Sequence, residues 1–316
     1  MFNMSAAFRG CSESISMPHT PTTGNWIGLI ALGLIWGASF PGVTIALEGF
    51  STVWVAAGRI LIGAVTLSLI AVAMGVKLRM SPAIMAFAAG MGVLSNALPF
   101  FLLSWSQQHV TSGFAGITMA AIPLFVIGLA HFLVQGETLT RQKASGFVLG
   151  LVGVAVLIGP GVFAASGSEF EAAARLGCLA AALSYAIGAI ITRRCPDVHP
   201  VGFGVLALWV ASAIMLPAAL VTDGMPPMAD IRPLLALLYL GLLPTGFATL
   251  LLVGIIRSAG PSFLSQVNYH VPVWSVLLGV IFLAEDLPGR FILALGIIIA
   301  GLMLARRKGL QARAPA

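Results

Sequence analysis

The stretch QVNYHVPVW, Gln266 to Trp274, lies inside an apolar run from Pro261 to Ala284. A run of that length approaches the ~20 residues a helix needs to cross about 30 Å of hydrocarbon. Yet Gln266, Asn268, Tyr269 and His270 carry hydrogen-bonding groups, and Pro272 deletes a backbone donor. Polar groups at membrane depth need partners or water, so the stretch predicts a polar cavity between helices. Gln266, Tyr269 and His270 share one helical face, with Asn268 further round.

Composition extends this reading to the whole chain. Of 316 residues, 59% are hydrophobic and 8% charged, against roughly 25% charged in a soluble domain. The 36 glycines suit helices packed backbone to backbone in lipid. The formal charge of +6 is spread between apolar runs rather than gathered on one face, which argues against nucleic acid as a partner. Cys11, Cys178 and Cys195 have no metal-ligand spacing and form no even framework of disulfides. No cofactor or metal is expected. Residues 1–24 are polar, lack a signal-peptide core and read as a disordered cytoplasmic tail, with Met17 as an alternative start; 307–316 read as a basic cytoplasmic tail.

Apolar runs bounded by charge, Gly or Pro give ten expected spans, near 26–45, 52–74, 83–106, 112–134, 144–164, 175–193, 201–222, 233–255, 261–284 and 289–306. With a cytoplasmic N-terminus, twelve Lys and Arg fall inside (Arg9, Lys77, Arg79, Arg141, Lys143, Arg193, Arg194, Arg257, Arg306, Arg307, Lys308 and Arg313) and only Arg175, Arg232 and Arg290 outside. That asymmetry places both termini in the cytoplasm. Pro123 and Pro272 are 149 residues apart, and the same interval pairs Gly28 with Gly177, Leu34 with Leu183, Gly92 with Gly241, Phe114 with Phe263 and Glu137 with Asp286. Five spans per half is odd, so the second copy enters the membrane upside down. The expected fold is therefore an all-α polytopic membrane protein of ten helices in two inverted five-helix repeats, 25–164 and 175–306. Inverted repeats place a secondary transporter's cargo site near the midplane.

LIWGASFPGVTIAL (Leu34 to Leu47), Arg59 in WVAAGRILIGA, and the proline-centred spans IPLFVIGLAHFLVQGE and HVPVWSVLLGVIFLAED resemble the drug/metabolite transporter superfamily, specifically its EamA-type ten-helix members. The likeness runs from Trp26 to Arg306. It implies a metabolite exporter, similar to amino-acid exporters of the YddG kind, in a bacterial inner membrane. The family moves amino acids, drugs, purines and other metabolites, so the resemblance leaves the cargo open.

Arg59 is the one charged side chain well inside an expected span. A lone cation there costs about 2.5 to 3.5 kcal/mol on insertion scales, so it should face protein or water. Two readings stand: a fork for a substrate carboxylate, or a guanidinium capping the carbonyls of broken helices or snorkelling outward. The span-nine group Gln266, Asn268, Tyr269 and His270 is the first candidate for cargo contacts, against interhelical hydrogen bonding. Asn96, Tyr185 and Thr245 follow, each alternatively serving a kinked backbone. Trp36 and Trp274 divide between pocket and packing. Ser39 is expected to help Pro41 unwind the first span, and Pro99, Pro123, Pro244 and Pro272 mark further helix breaks.

No acid falls in the middle of a span, which leaves a carboxylate proton relay without members. Export down the cargo's own gradient is expected, with proton coupling through His270 as the alternative. An intramembrane enzyme lacks converging nucleophile, base or metal ligands. A dianionic cargo calls for more cations than Arg59, and a cationic drug for an embedded carboxylate. Small neutral or zwitterionic metabolites fit best, amino acids foremost. Lipid and the small molecule are the expected partners; monomer and homodimer both stay open.

Overall fold

The computed structural model describes residues 21–133, 140–158 and 170–306. The expected tails, except for residues 21–24, lie outside the described residues, and so does Glu137. Among the described residues every regular element is helical. In chain order these are α1 (Thr23–Ala46), α2 (Thr52–Ala73), α3 (Pro82–Gly92), α4 (Leu98–Ser106), α5 (Ser112–Thr118), α6 (Ile122–Leu133), α7 (Arg141–Ile158), α8 (Glu171–Arg193), α9 (Pro200–Asp223), α10 (Ile231–Leu240), α11 (Ala248–Ala259), α12 (Pro261–Leu264), α13 (Val267–Leu283) and α14 (Gly289–Arg306). Seven helical stretches are long and apolar enough to cross a membrane, and the shorter apolar helices 144–157, 267–283 and 289–304 coincide with three more expected spans.

Helix starts follow from local chemistry. Thr22 caps α1 in a reciprocal box with Asn25, and Ser51, Ser81 and Thr111 accept the backbone N–H of Trp54, Ile84 and Phe114 to cap α2, α3 and α5. Each hydroxyl satisfies a donor that the helix itself leaves without a partner. At the C-terminal end of α13, Ala284 adopts a left-handed turn (φ 51°). That turn folds Glu285 back onto α5, where its carboxylate accepts the N–H groups of Ser112 (2.7 Å) and Gly113 (3.0 Å) and the Ser112 hydroxyl (3.0 Å). A carboxylate on a helix N-terminus is favourable for the helix dipole, and here it ties α13 to α5.

Two long helices are interrupted by π-helical turns, at Val93–Ala97 between α3 and α4 and at Gly241–Phe247 between α10 and α11. Pro99 follows the first and Pro244 sits inside the second; Pro123 follows a 3₁₀ turn, Met119–Ala121. At Pro41 and Pro272 the outcome differs from expectation. Both α1 and α13 stay helical through their proline, because a single missing N–H bends a helix without ending it when neighbouring helices hold it. Span nine breaks earlier, in the turn Ser265–Gln266 between α12 and α13.

α1 packs on α13, α2 on α9, α4 on α8 and α7 on α14. The α1–α13 seam is built on Gly33 and Gly37. A Cβ at Gly33 would lie 2.7 Å from the His270 Cβ, and one at Gly37 would lie 2.5 Å from the Trp274 Cβ. This small-x-x-x-small pattern lets backbones approach where lipid removes any hydrophobic gain from association. Large apolar side chains such as Leu69, Val72, Val221 and Ile281 face outward, as hydrocarbon permits.

Gly37→Leu should therefore lower the thermal midpoint of the detergent-solubilised protein, since overpacking costs about 1 to 3 kcal/mol. Gly254→Leu, where a Cβ meets nothing within 4 Å, should leave it unchanged. Equal midpoints for the two variants would contradict the seam.

Candidate functional site

Proline 244 cannot donate to the carbonyl four residues back, which belongs to Leu240. The π-helical turn instead offers that carbonyl the donor five residues on, the Thr245 N–H, and the Thr245 hydroxyl bonds it as well, at 2.8 Å. The hydroxyl oxygen in turn accepts the Arg59 Nε–H at 3.0 Å. A chain of carbonyl, hydroxyl and guanidinium thus anchors Arg59 to the π-helical turn.

Glycines permit the approach of α2. A Cβ at Gly63 would sit 2.4 Å from Thr245 Cγ2, at Gly241 2.4 Å from Ile62 Cβ, and at Gly246 2.6 Å from Thr66 Cγ2. The two segments interlock residue by residue, so the position of Arg59 is fixed by packing as well as by its hydrogen bond.

Arg59 is 8% exposed. Its guanidinium carbon lies 3.8 Å from the centre of the Phe100 ring, and the charge is close enough to interact with the Tyr185 and Tyr239 hydroxyls. No carboxylate pairs with it among the described residues. The two terminal nitrogens form no hydrogen bond there either. One nitrogen of the guanidinium is bonded to Thr245, and the two terminal ones are unbonded among the described residues.

The neighbouring candidates take up positions around this cation. Trp36 Nε1–H donates to the Pro244 carbonyl at 3.1 Å, and the Ser39 hydroxyl donates to the Trp36 carbonyl. Asn96 is buried in the other π-helical turn and donates to the Met91 carbonyl at 3.3 Å. Tyr185 is half-buried near the guanidinium. Arg59, Thr245, Pro244, Trp36 and Tyr185 are thereby brought to one place.

The span-nine group sits elsewhere on the same walls. Asn268 donates to the carbonyl of Ser265 at 3.0 Å, a local bond at the start of α13. His270 and Trp274 lie over Gly33 and Gly37. Gln266 and Tyr269 are half-buried, Tyr269 against the apolar core that α1, α5 and α14 share. Two residues around Arg59 were not among the expected ones: Phe100, stacked on the guanidinium, and Tyr239, whose hydroxyl donates to the Ile35 carbonyl at 2.8 Å. Tyr239 is one of three tyrosines in the chain, and its place in an apolar span was the available signal. Phe100 adjoins Pro99 but is one of 18 phenylalanines, and nothing set it apart.

The model of the EamA-like transporter family matches the chain twice, over residues 24–159 and 173–307. The inner membrane transporter YedA of Escherichia coli (strain K12), itself uncharacterised, is 26% identical over 87% of this chain and 88% of its own length. A probable terminal-alkyne amino-acid exporter of Streptantibioticus cattleyicolor is 23% identical over 90% of this chain and 94% of its own. A crystal structure that aligns with 93% of this chain and all of its own has a TM-score of 0.66 at 22% identity and shares the fold.

Arg59 and Thr245 should respond oppositely to mutation. Thr245→Val removes the hydroxyl's bond to the Leu240 carbonyl and leaves the buried Arg59 Nε–H without an acceptor, and should cost about 1 to 3 kcal/mol of stability, with Thr245→Ser restoring most of it. Arg59→Leu loses the same bond but relieves an embedded charge, whose insertion costs about 2.5 to 3.5 kcal/mol, and should leave the thermal midpoint at or above that of the unaltered protein. A midpoint for Arg59→Leu far below that of Thr245→Val would make the arginine purely structural.

Proposed function

The chain belongs to the EamA-like transporter family, and from that premise we propose that it is a secondary transporter of the bacterial inner membrane that exports small zwitterionic metabolites, most directly amino acids, by alternating access. The observation that carries the proposal is the Arg59 guanidinium, embedded and without a carboxylate partner among the described residues, with two nitrogens unbonded. Two parallel N–H groups fit a carboxylate bidentately. A cargo that brings its own carboxylate neutralises the cation, and Phe100, Tyr185 and Trp36 beside it offer aromatic surface to an apolar side chain. The likeness to a probable amino-acid exporter agrees with this cargo class.

The proposal takes the architecture as ten spans in two inverted halves with both termini inside. Several observations support it. The π-helical turns fall at matching places under the 149-residue interval, Val93–Ala97 against Gly241–Phe247. Packing also exchanges between halves: α1 lies on α13 as α8 lies on α6, and α1 lies on α10 as α8 lies on α3 and α4. Hydrogen bonds do the same, since Trp36 of the first span bonds the Pro244 carbonyl and Ser184 of the sixth bonds the Leu94 carbonyl at 2.7 Å. An intramembrane enzyme is not supported by any of these features.

Purified protein in liposomes should exchange labelled amino acids without an imposed proton gradient. Arg59→Gln should reduce exchange about ten- to a hundredfold, the loss of a charge-assisted hydrogen-bond pair, while the protein remains folded. Unaltered exchange by Arg59→Gln, or uptake of only a metabolite lacking a carboxylate, would overturn the assignment.

A further inference from the structure

A groove of about 710 Å³ opens between α1, α10 and α13 on the side of the molecule that faces lipid. Small residues of α1, Ala38, Pro41 and Gly42, line it alongside large apolar side chains that include Leu34, Leu235 and Phe282. The last three are exposed. Bulky neighbours flank a helix face that bears almost no side chain, so the three helices leave a trough rather than a closed seam. In hydrocarbon an empty trough forfeits dispersion contacts on every wall.

Its length fits one leaflet. From Leu34 to Ile45, both lining residues, α1 rises about 16 Å at 1.5 Å per residue. That is about half of the ~30 Å hydrocarbon thickness. The groove therefore runs from mid-membrane to one surface, the outer one in the orientation proposed above.

At that surface end the lining changes character. Arg232 lines the groove and its guanidinium lies 3.3 Å from the Glu48 carboxylate, with both side chains substantially exposed. An exposed pair of opposite charges at the mouth of an apolar trough is the complement of a headgroup carrying a phosphate and a primary ammonium. A headgroup with phosphate alone meets Arg232 but leaves Glu48 facing like charge.

We propose that this groove is a binding site for one acyl chain of a zwitterionic phospholipid with a primary amine, its phosphate held by Arg232 and its ammonium by Glu48. The site is separate from the Arg59 cluster. Tyr239 forms part of the groove wall and bonds the Ile35 carbonyl, and neither Arg59 nor Thr245 lines the groove.

Native mass spectrometry of the full chain released from detergent micelles tests the proposal, with phosphatidylethanolamine and phosphatidylglycerol of identical chains added in equal amounts. The unaltered protein should retain one phosphatidylethanolamine in about tenfold preference, one charge-assisted bond's worth of selectivity. Glu48→Gln should lose the preference while still retaining phosphatidylglycerol, and Arg232→Ala should lose both lipids. Leu235→Trp fills the trough from a lipid-exposed position and should lose both lipids with the thermal midpoint unchanged, which separates occupancy from misfolding. Equal retention of the two lipids by the unaltered protein, retention of detergent alone, or undiminished retention by Leu235→Trp would overturn the site.

Discussion

A proline in a membrane helix leaves a carbonyl that water is not there to satisfy. At Pro244 this concerns the Leu240 carbonyl: the π-helical turn brings the Thr245 N–H to it, and the Thr245 hydroxyl adds a second bond while accepting the Arg59 Nε–H. The rest of the site follows from this relay. α2 must approach closely enough for Arg59 to reach Thr245, which is why Gly63, Gly241 and Gly246 stand where any side chain would collide. The arginine held in this way, stacked on Phe100, has its two terminal nitrogens unbonded among the described residues.

The same need recurs at the other interrupted helix. Asn96 bonds the Met91 carbonyl within the π-helical turn, and Ser184 reaches across from α8 to the Leu94 carbonyl. Trp36 reaches across from α1 to the Pro244 carbonyl. Each irregular turn is thus held partly by a helix remote in sequence. On the inverted-repeat reading the donors come from the opposite half, so rocking one half against the other must carry or break these bonds. The Glu285 cap on α5 is a further tie of this kind, at the end of α13. π-helical turns are frequent at functional sites because they hold backbone groups out of the regular ladder.

Much of this was legible beforehand for physical reasons. A chain with 8% charged residues and long apolar runs has few ways to fold other than as spanning helices, and the family model's match agrees with the resemblance read from Leu34–Leu47, Arg59 and the two proline-centred spans. Arg59 stood out because charge is costly at depth. Of the two readings given to it, a carboxylate fork or a cap on the carbonyls of broken helices, the structure shows a bond to the Thr245 hydroxyl of the interrupted helix instead of to a carbonyl. The partnerships were less legible. Composition does not say which residue of a distant helix will meet Arg59, so Phe100 and Tyr239 went unremarked. Helical periodicity also fails across a π-helical turn, where one extra residue rotates everything beyond it by about 100°. Prolines misled in another way: Pro41 and Pro272 looked like helix breaks, but α1 and α13 are continuous through them, while the break in span nine fell at Ser265–Gln266. His270 and Trp274 were read as polar and aromatic candidates for cargo contact without reference to Gly33 and Gly37, whose spacing on α1 places them against that face.

The account turns on an embedded cation reserved for a carboxylate that arrives with the cargo. The most direct measurement is competition for the purified transporter between an exported amino acid and its decarboxylated amine, which differ only in that group. The amine should bind at least about tenfold more weakly than the amino acid, and Arg59→Gln should remove the difference. An amine that competes as well as its parent amino acid would contradict the account at its root.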